Sequence, residues 1–167
     1  AGGEIKAGIR KTRFQTQIAS TDLKIVTDDI KIEVLDCYLN LLKNRNLLNV
    51  YEENIKLTKQ LISEMKARSE QGLALSNDVT RYELNLSNLT YDRNTIADAV
   101  EHLNYSLLVY LGLDDGTTVE PYLDSNNMNM SDPGLTQWKL EAEMSPKLKR
   151  SDLAYSQAKN EELIVRS

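Results

Sequence analysis

Residues that break helices are scarce in this chain. Its 167 residues include only 7 Gly and 3 Pro, and 41% of the residues are hydrophobic. This composition argues against disorder and against a turn-rich β-sandwich. It favours long helices, and the length suits one domain or one elongated unit.

The chain also has few cysteines and histidines, and its 20 Lys and Arg residues are outnumbered by 25 Asp and Glu residues. Cys37 and His102 are the only residues of their types, which excludes an intrachain disulfide and a cysteine-based zinc site. A net charge of −5 argues against a nucleic-acid partner. No apolar run approaches the roughly 20 residues of a membrane-spanning helix. With no clustered ligands, no catalytic triad and no phosphate-binding loop, we expect no metal, no cofactor and no enzymatic activity.

The first predicted helix covers about residues 10–71, a stretch without Gly or Pro. A helix of that length needs partners along it, because isolated helices are marginal in water. A seven-residue row typical of coiled coils consists of Val34, Leu41, Leu48, Ile55 and Ile62. A second apolar face consists of Leu47, Val50, Leu57 and Leu61. Two faces indicate neighbours on two sides, as in a bundle or a closed ring of helices.

A turn at residues 72–76 separates this helix from a second one at 77–111. Gly72 suits the left-handed position after a helix end, and Ser76 or Asn77 is expected to cap the second helix. The second helix repeats Leu, Ile, Val or Tyr at heptad spacing, with Arg93 as the exception in the seam. Residues 1–111 are therefore predicted to form a long antiparallel coiled-coil hairpin.

The rest of the chain reads as a side insert and a final helix. Residues 112–145 are predicted to hold a short strand near Thr117–Tyr122 and a short helix. Ser145 and Pro146 are typical of a helix start, and the final helix, 146–167, would stack on the long helix. The predicted fold class is all-α, with this small mixed insert.

Four segments, in this order, resemble the TolC-type outer-membrane efflux family. Gly2–Ile9 resembles the entry into its long helix, and Arg68–Leu73 followed by Asp78-Val79 resembles its hairpin tip. Ala99–Leu113 resembles the exit of the second helix, and Glu141–Leu148 the opening of the next repeat. The resemblance implies one of two repeats of a homotrimeric duct that passes solutes through the periplasm. It also implies docking to a periplasmic adaptor and, through it, to an inner-membrane pump.

The resemblance assigns roles to two groups of residues. Gly72 and Leu73, with Arg68 ahead of them, match the adaptor-docking tip. The alternative is that Gly72 is an ordinary helix end and Leu73 its usual apolar contact. Asn77 and Asp78 match polar positions of the closed entrance, and their alternative role is helix capping.

Arg93 has two interpretations as well. It either pairs with a carboxylate across the hairpin or lines the duct, and the ion pair is the expected role. The function predicted for the chain is a periplasmic tube-wall segment of an efflux duct in the bacterial cell envelope. The alternative is a coiled-coil scaffold or adaptor hairpin without a transport role, which would have the same heptads.

Overall fold

The computed structural model describes residues 2–123 and 134–165, and these ranges contain four α-helices. The helices are α1 (Gly2–Glu70), α2 (Ser76–Leu111), α3 (Gly134–Glu143) and α4 (Pro146–Val165). These two ranges contain no strand, which confirms the all-α class. None of their helices combines the length and apolarity needed to cross a membrane. Residues 124–133 of the predicted insert and the last two residues of the predicted final helix lie outside the described ranges.

Helix α1 begins at Gly2, about eight residues before the predicted start. The three early glycines, Gly2, Gly3 and Gly8, lie within it despite their weak helix propensity. Ala7 is only 7% exposed, and the side-chain amide of Asn160 in α4 donates to its carbonyl oxygen at 3.4 Å. This packing explains the early start, because tertiary contacts override local propensity.

The end of α1 is a Schellman motif centred on Gly72. The Leu73 N–H donates to the Arg68 carbonyl at 2.9 Å, and the Gly72 N–H donates to the Ser69 carbonyl at 3.0 Å. Gly72 has a φ of 73°, the left-handed conformation that this motif requires. The prediction that Gly72 ends the helix is confirmed.

Helix α2 starts differently from the prediction. Its N-cap is Leu75, with φ −81° and ψ 138°, and no side chain caps it. The Asp78 N–H instead donates to the Leu75 carbonyl at 3.0 Å. Ser76 is already helical, so the prediction that Ser76 or Asn77 caps the helix was wrong. Asp78 does lie in the first turn, where the helix dipole favours a negative charge.

One of two compact units spans Val34–Leu123 and contains the α1–α2 turn. Glu83 pairs with Lys66 at 2.7 Å, and the Cys37 thiol donates to the Leu103 carbonyl at 3.4 Å. Residues earlier in α1 thus contact residues later in α2, as between antiparallel helices. Cys37, Leu41 and Leu107 form a buried core cluster in this unit, and Ile62, Val79 and Leu108 are buried as well. Coiled-coil packing along the whole seam stays a prediction.

The strand predicted at residues 117–122 is not formed. Two side chains take the place of a partner strand. The Asn104 amide donates to the Thr117 carbonyl at 3.0 Å and accepts from the Val119 N–H at 2.8 Å. The Tyr38 hydroxyl donates to the Tyr122 carbonyl at 2.8 Å and accepts from its N–H at 2.7 Å. With four of its backbone groups bonded to helix side chains, the segment is held without a partner strand.

The other unit consists of Ala1–Glu33 and Asp124–Ser167. In it α4 contacts the first part of α1 through Lys147–Asp29 at 3.0 Å and Lys11–Glu161 at 3.1 Å. Residues later in this part of α1 contact residues earlier in α4, so the two segments run antiparallel. At the start of α4 the Ser145 hydroxyl accepts from the Leu148 N–H at 3.3 Å, which confirms Ser145 as its cap.

Candidate functional site

The turn between α1 and α2 presents two leucines to solvent. Leu73 is 74% exposed and Leu75 is 71% exposed. In a Schellman motif the residue after the left-handed glycine commonly packs on the preceding helix turn. Leu73 makes the motif's backbone hydrogen bond yet leaves most of its side chain uncovered. The turn therefore has an apolar apex that its own helix end does not cover.

Arg68 contributes to this apex through its backbone. Its carbonyl accepts the Leu73 N–H, while its side chain is exposed in the last turn of α1. A cation at this end of a helix interacts favourably with the helix dipole. Both features account for Arg68 without a partner, so its assignment to a docking surface rests on its place beside Leu73.

Asp78 lines an open groove of about 470 Å³ between the two helices, close to the turn. Its other lining residues are Met65, Arg81, Tyr82 and Asn85. The groove thus brings a carboxylate, a guanidinium and an amide together, groups that form charge-assisted hydrogen bonds. Asn77 is exposed, and of the two predicted entrance residues only Asp78 lines this groove.

Sequence reasoning missed Leu75 and Arg81. Leu75 belongs to the same apolar apex as Leu73, and the Leu-Ala-Leu run between the two helices was the available signal. Arg81 follows Asp78 by three residues, the spacing that places two helical side chains on one face. Such pairs are common on exposed helices, so the spacing alone could not identify a groove.

The second apolar face predicted on α1 is open to solvent in the structure. Leu47 and Leu61 are 36% and 37% exposed, and Val50 and Leu57 are 53% and 58% exposed. Nearer the start of α1 lies a further group of exposed apolar residues. Its members are Ile5, Ile9, Leu23, Val26 and Ile30. Large apolar rows of this kind mark surfaces that bind other chains.

The single histidine and the single cysteine lie in different environments. His102 is exposed, whereas Cys37 is buried in the core and bonded to a backbone carbonyl. Burial raises the pKa of the Cys37 thiol, which disfavours the nucleophilic thiolate. Within residues 2–123 and 134–165, no three His, Cys, Asp or Glu side chains form a group that could hold a metal ion.

Searches of protein-family models, curated proteins and solved structures find no significant match to this chain.

Proposed function

We propose that this chain is a periplasmic wall segment of a TolC-type efflux duct, with the α1–α2 turn as its adaptor-docking tip. The observation that carries the proposal is the apolar apex, where Leu73 and Leu75 are both more than two-thirds exposed. An exposed pair of leucines at a turn loses water contact favourably when a partner covers it. Such an apex would fit a helical partner whose surface has a complementary apolar groove.

The exposed apolar rows on α1 support the wall role. In a closed ring each helix contacts a neighbour on both sides, so a second apolar face has an occupant. Leu47, Val50, Leu57 and Leu61 would supply that face in the intact homotrimer. The chain would then act structurally, because solutes would cross the envelope inside the tube without a chemical step. The inner-membrane pump would be reached through the adaptor.

A crosslinking experiment tests the docking tip. A photoreactive amino acid replaces Leu73 in the full-length protein in cells, with and without a co-expressed adaptor that carries an affinity tag. Tyr91, 73% exposed on α2, serves as the matched control position. We expect an adaptor crosslink from position 73 only when the adaptor is present, and far less from position 91.

Labelling confined to the chain itself, with the adaptor present, would contradict docking at the tip. Equal adaptor crosslinking from both positions would also contradict it, because the contact would not be specific to the apex. A scaffold without a transport role is distinguished by function. Deleting the gene would then leave export of fluorescent dyes unchanged, whereas loss of export supports the duct.

A further inference from the structure

Residues 117–122, here called the strap, are held by one side chain from each helix. Asn104 of α2 makes two hydrogen bonds to the strap backbone, at Thr117 and Val119. Tyr38 of α1 makes two more, both at Tyr122. The strap therefore joins the two helices, and its attachment is concentrated in two side chains.

Little apolar surface fixes the strap in place. Val119 packs against the core cluster of Cys37, Leu41 and Leu107. Pro121 is half-buried, whereas Thr117, Thr118 and Glu120 are exposed and Tyr122 is 75% exposed. Pro121 has no N–H to donate. Segments with few buried apolar contacts open at lower free energy than the helices beside them.

Two glycines with left-handed backbone conformations lie between the last residue of α2 and the strap. Gly112 ends α2 with a φ of 65°, and Gly116 has a φ of 93°. Between them Asp114 begins a tight turn, in which its carbonyl accepts the Thr117 N–H at 3.2 Å. Left-handed glycines permit backbone rotations that other residues resist. Backbone rotation at these glycines would therefore let the strap move while α2 stays helical.

We infer that the strap detaches from Asn104 and Tyr38 while α1 and α2 remain folded and paired. This detachment, here called opening of the clasp, exposes Cys37 to solvent. When Val119 leaves, the buried cluster that contains Cys37 loses one of the side chains packed against it. Opening breaks the four strap hydrogen bonds and leaves the helix backbone intact. This inference concerns the fold of one chain and does not depend on the proposed function.

Thiol labelling of the 167-residue chain tests the clasp, because Cys37 is its only cysteine. The rate of reaction with a water-soluble disulfide reagent is measured for the wild type, Asn104→Ala and Tyr38→Phe. Each variant removes the side-chain groups with which one of these two residues bonds to the strap. Since a hydrogen bond contributes on the order of a several-fold change in an equilibrium, we expect rates to rise roughly tenfold.

Matched controls are Asn94→Ala and Tyr91→Phe, both at exposed positions of α2. They should label at the wild-type rate. Helix content from circular dichroism should stay unchanged in all four variants. The labelling rate should also be nearly independent of urea below the unfolding transition, because little surface is exposed when the clasp opens.

Hydrogen exchange of the wild type gives a second measurement that needs no variant. The amides of Val119 and Tyr122 should exchange at least tenfold faster than the amide of Leu107, in the buried core. Equal protection of all three amides would overturn the clasp. So would labelling of Cys37 that follows global unfolding, with the same steep dependence on urea in every variant.

Discussion

Arg93 of α2 donates a hydrogen bond to Glu52 of α1, with 2.7 Å between the Nη2 and Oε1 atoms. Arg93 is the charged exception in an otherwise apolar seam, and the sequence predicted this kind of pair across the hairpin. The ion pair allows the seam to continue past a charged residue, since the guanidinium finds its partner at the helix edge.

The Arg93–Glu52 pair should contribute little to stability. The two side chains are 36% and 48% exposed, and such pairs contribute about 0–1 kcal/mol. A double-mutant cycle of Arg93→Met and Glu52→Gln, followed by urea unfolding, should give a coupling in that range that falls in 1 M salt. A coupling of roughly 2 kcal/mol or more at high salt would contradict this screened, solvent-exposed description.

Gly72→Ala and Gly8→Ala should change stability in opposite directions. An added Cβ meets no heavy atom within 4 Å at either position, but only Gly72 has a left-handed φ. The free energy of unfolding should therefore fall by about 1 kcal/mol in Gly72→Ala. It should rise by up to about 1 kcal/mol in Gly8→Ala, inside α1. Chemical denaturation measures both, and a loss of similar size in both variants would contradict the backbone explanation.

Leu41→Ala should be strongly destabilising. Leu41 is fully buried, with 0% exposure, and truncating such a leucine costs roughly 2–5 kcal/mol of unfolding free energy. Leu57→Ala is the matched control on the same helix, because Leu57 is 58% exposed and should lose under about 0.5 kcal/mol in the isolated chain. Similar losses in the two variants would place the core of this unit elsewhere.

Stability should decline at alkaline pH because of Cys37. Burial raises the pKa of its thiol, so the folded state holds this proton more tightly than the unfolded state does. The resulting contribution is fully present below the unfolded pKa and is lost as pH rises through the folded pKa. Urea unfolding between pH 7 and 10 should show a smaller alkaline loss in Cys37→Ala. Identical pH profiles would exclude a Cys37 contribution.

Asp78→Ala should loosen the resting entrance of the intact duct, a prediction that rests on the proposed function. Asp78 lines the groove near the turn, where a carboxylate can link to a neighbouring chain. Single-channel conductance of the full-length protein in a bilayer should increase. Asp92→Ala, an exposed carboxylate elsewhere on α2, should leave it unchanged. Unaltered conductance in Asp78→Ala would count against an entrance role.

The strap and the start of α2 illustrate what local sequence leaves open. A Thr-Thr-Val run before proline has the composition of an edge strand, but a strand needs a partner. Asn104 and Tyr38 provide the hydrogen bonds instead, and they are 13 and 84 residues from their strap partners. Ser76 and Asn77 are good capping residues, yet the N-cap position of α2 falls one residue earlier, on Leu75.

The sequence by itself determined the helical class, the turn at Gly72 and the pairing of Arg93 with a carboxylate. These follow from local rules, because helix periodicity, a left-handed glycine and a charge in an apolar seam each limit the backbone or the packing nearby. Tertiary structure alone decided that α1 begins at Gly2, that Leu73 and Leu75 stay uncovered, and that the strap is not a strand. Each of these depends on which distant side chains reach a given backbone or surface, and that information is absent from any short window of sequence.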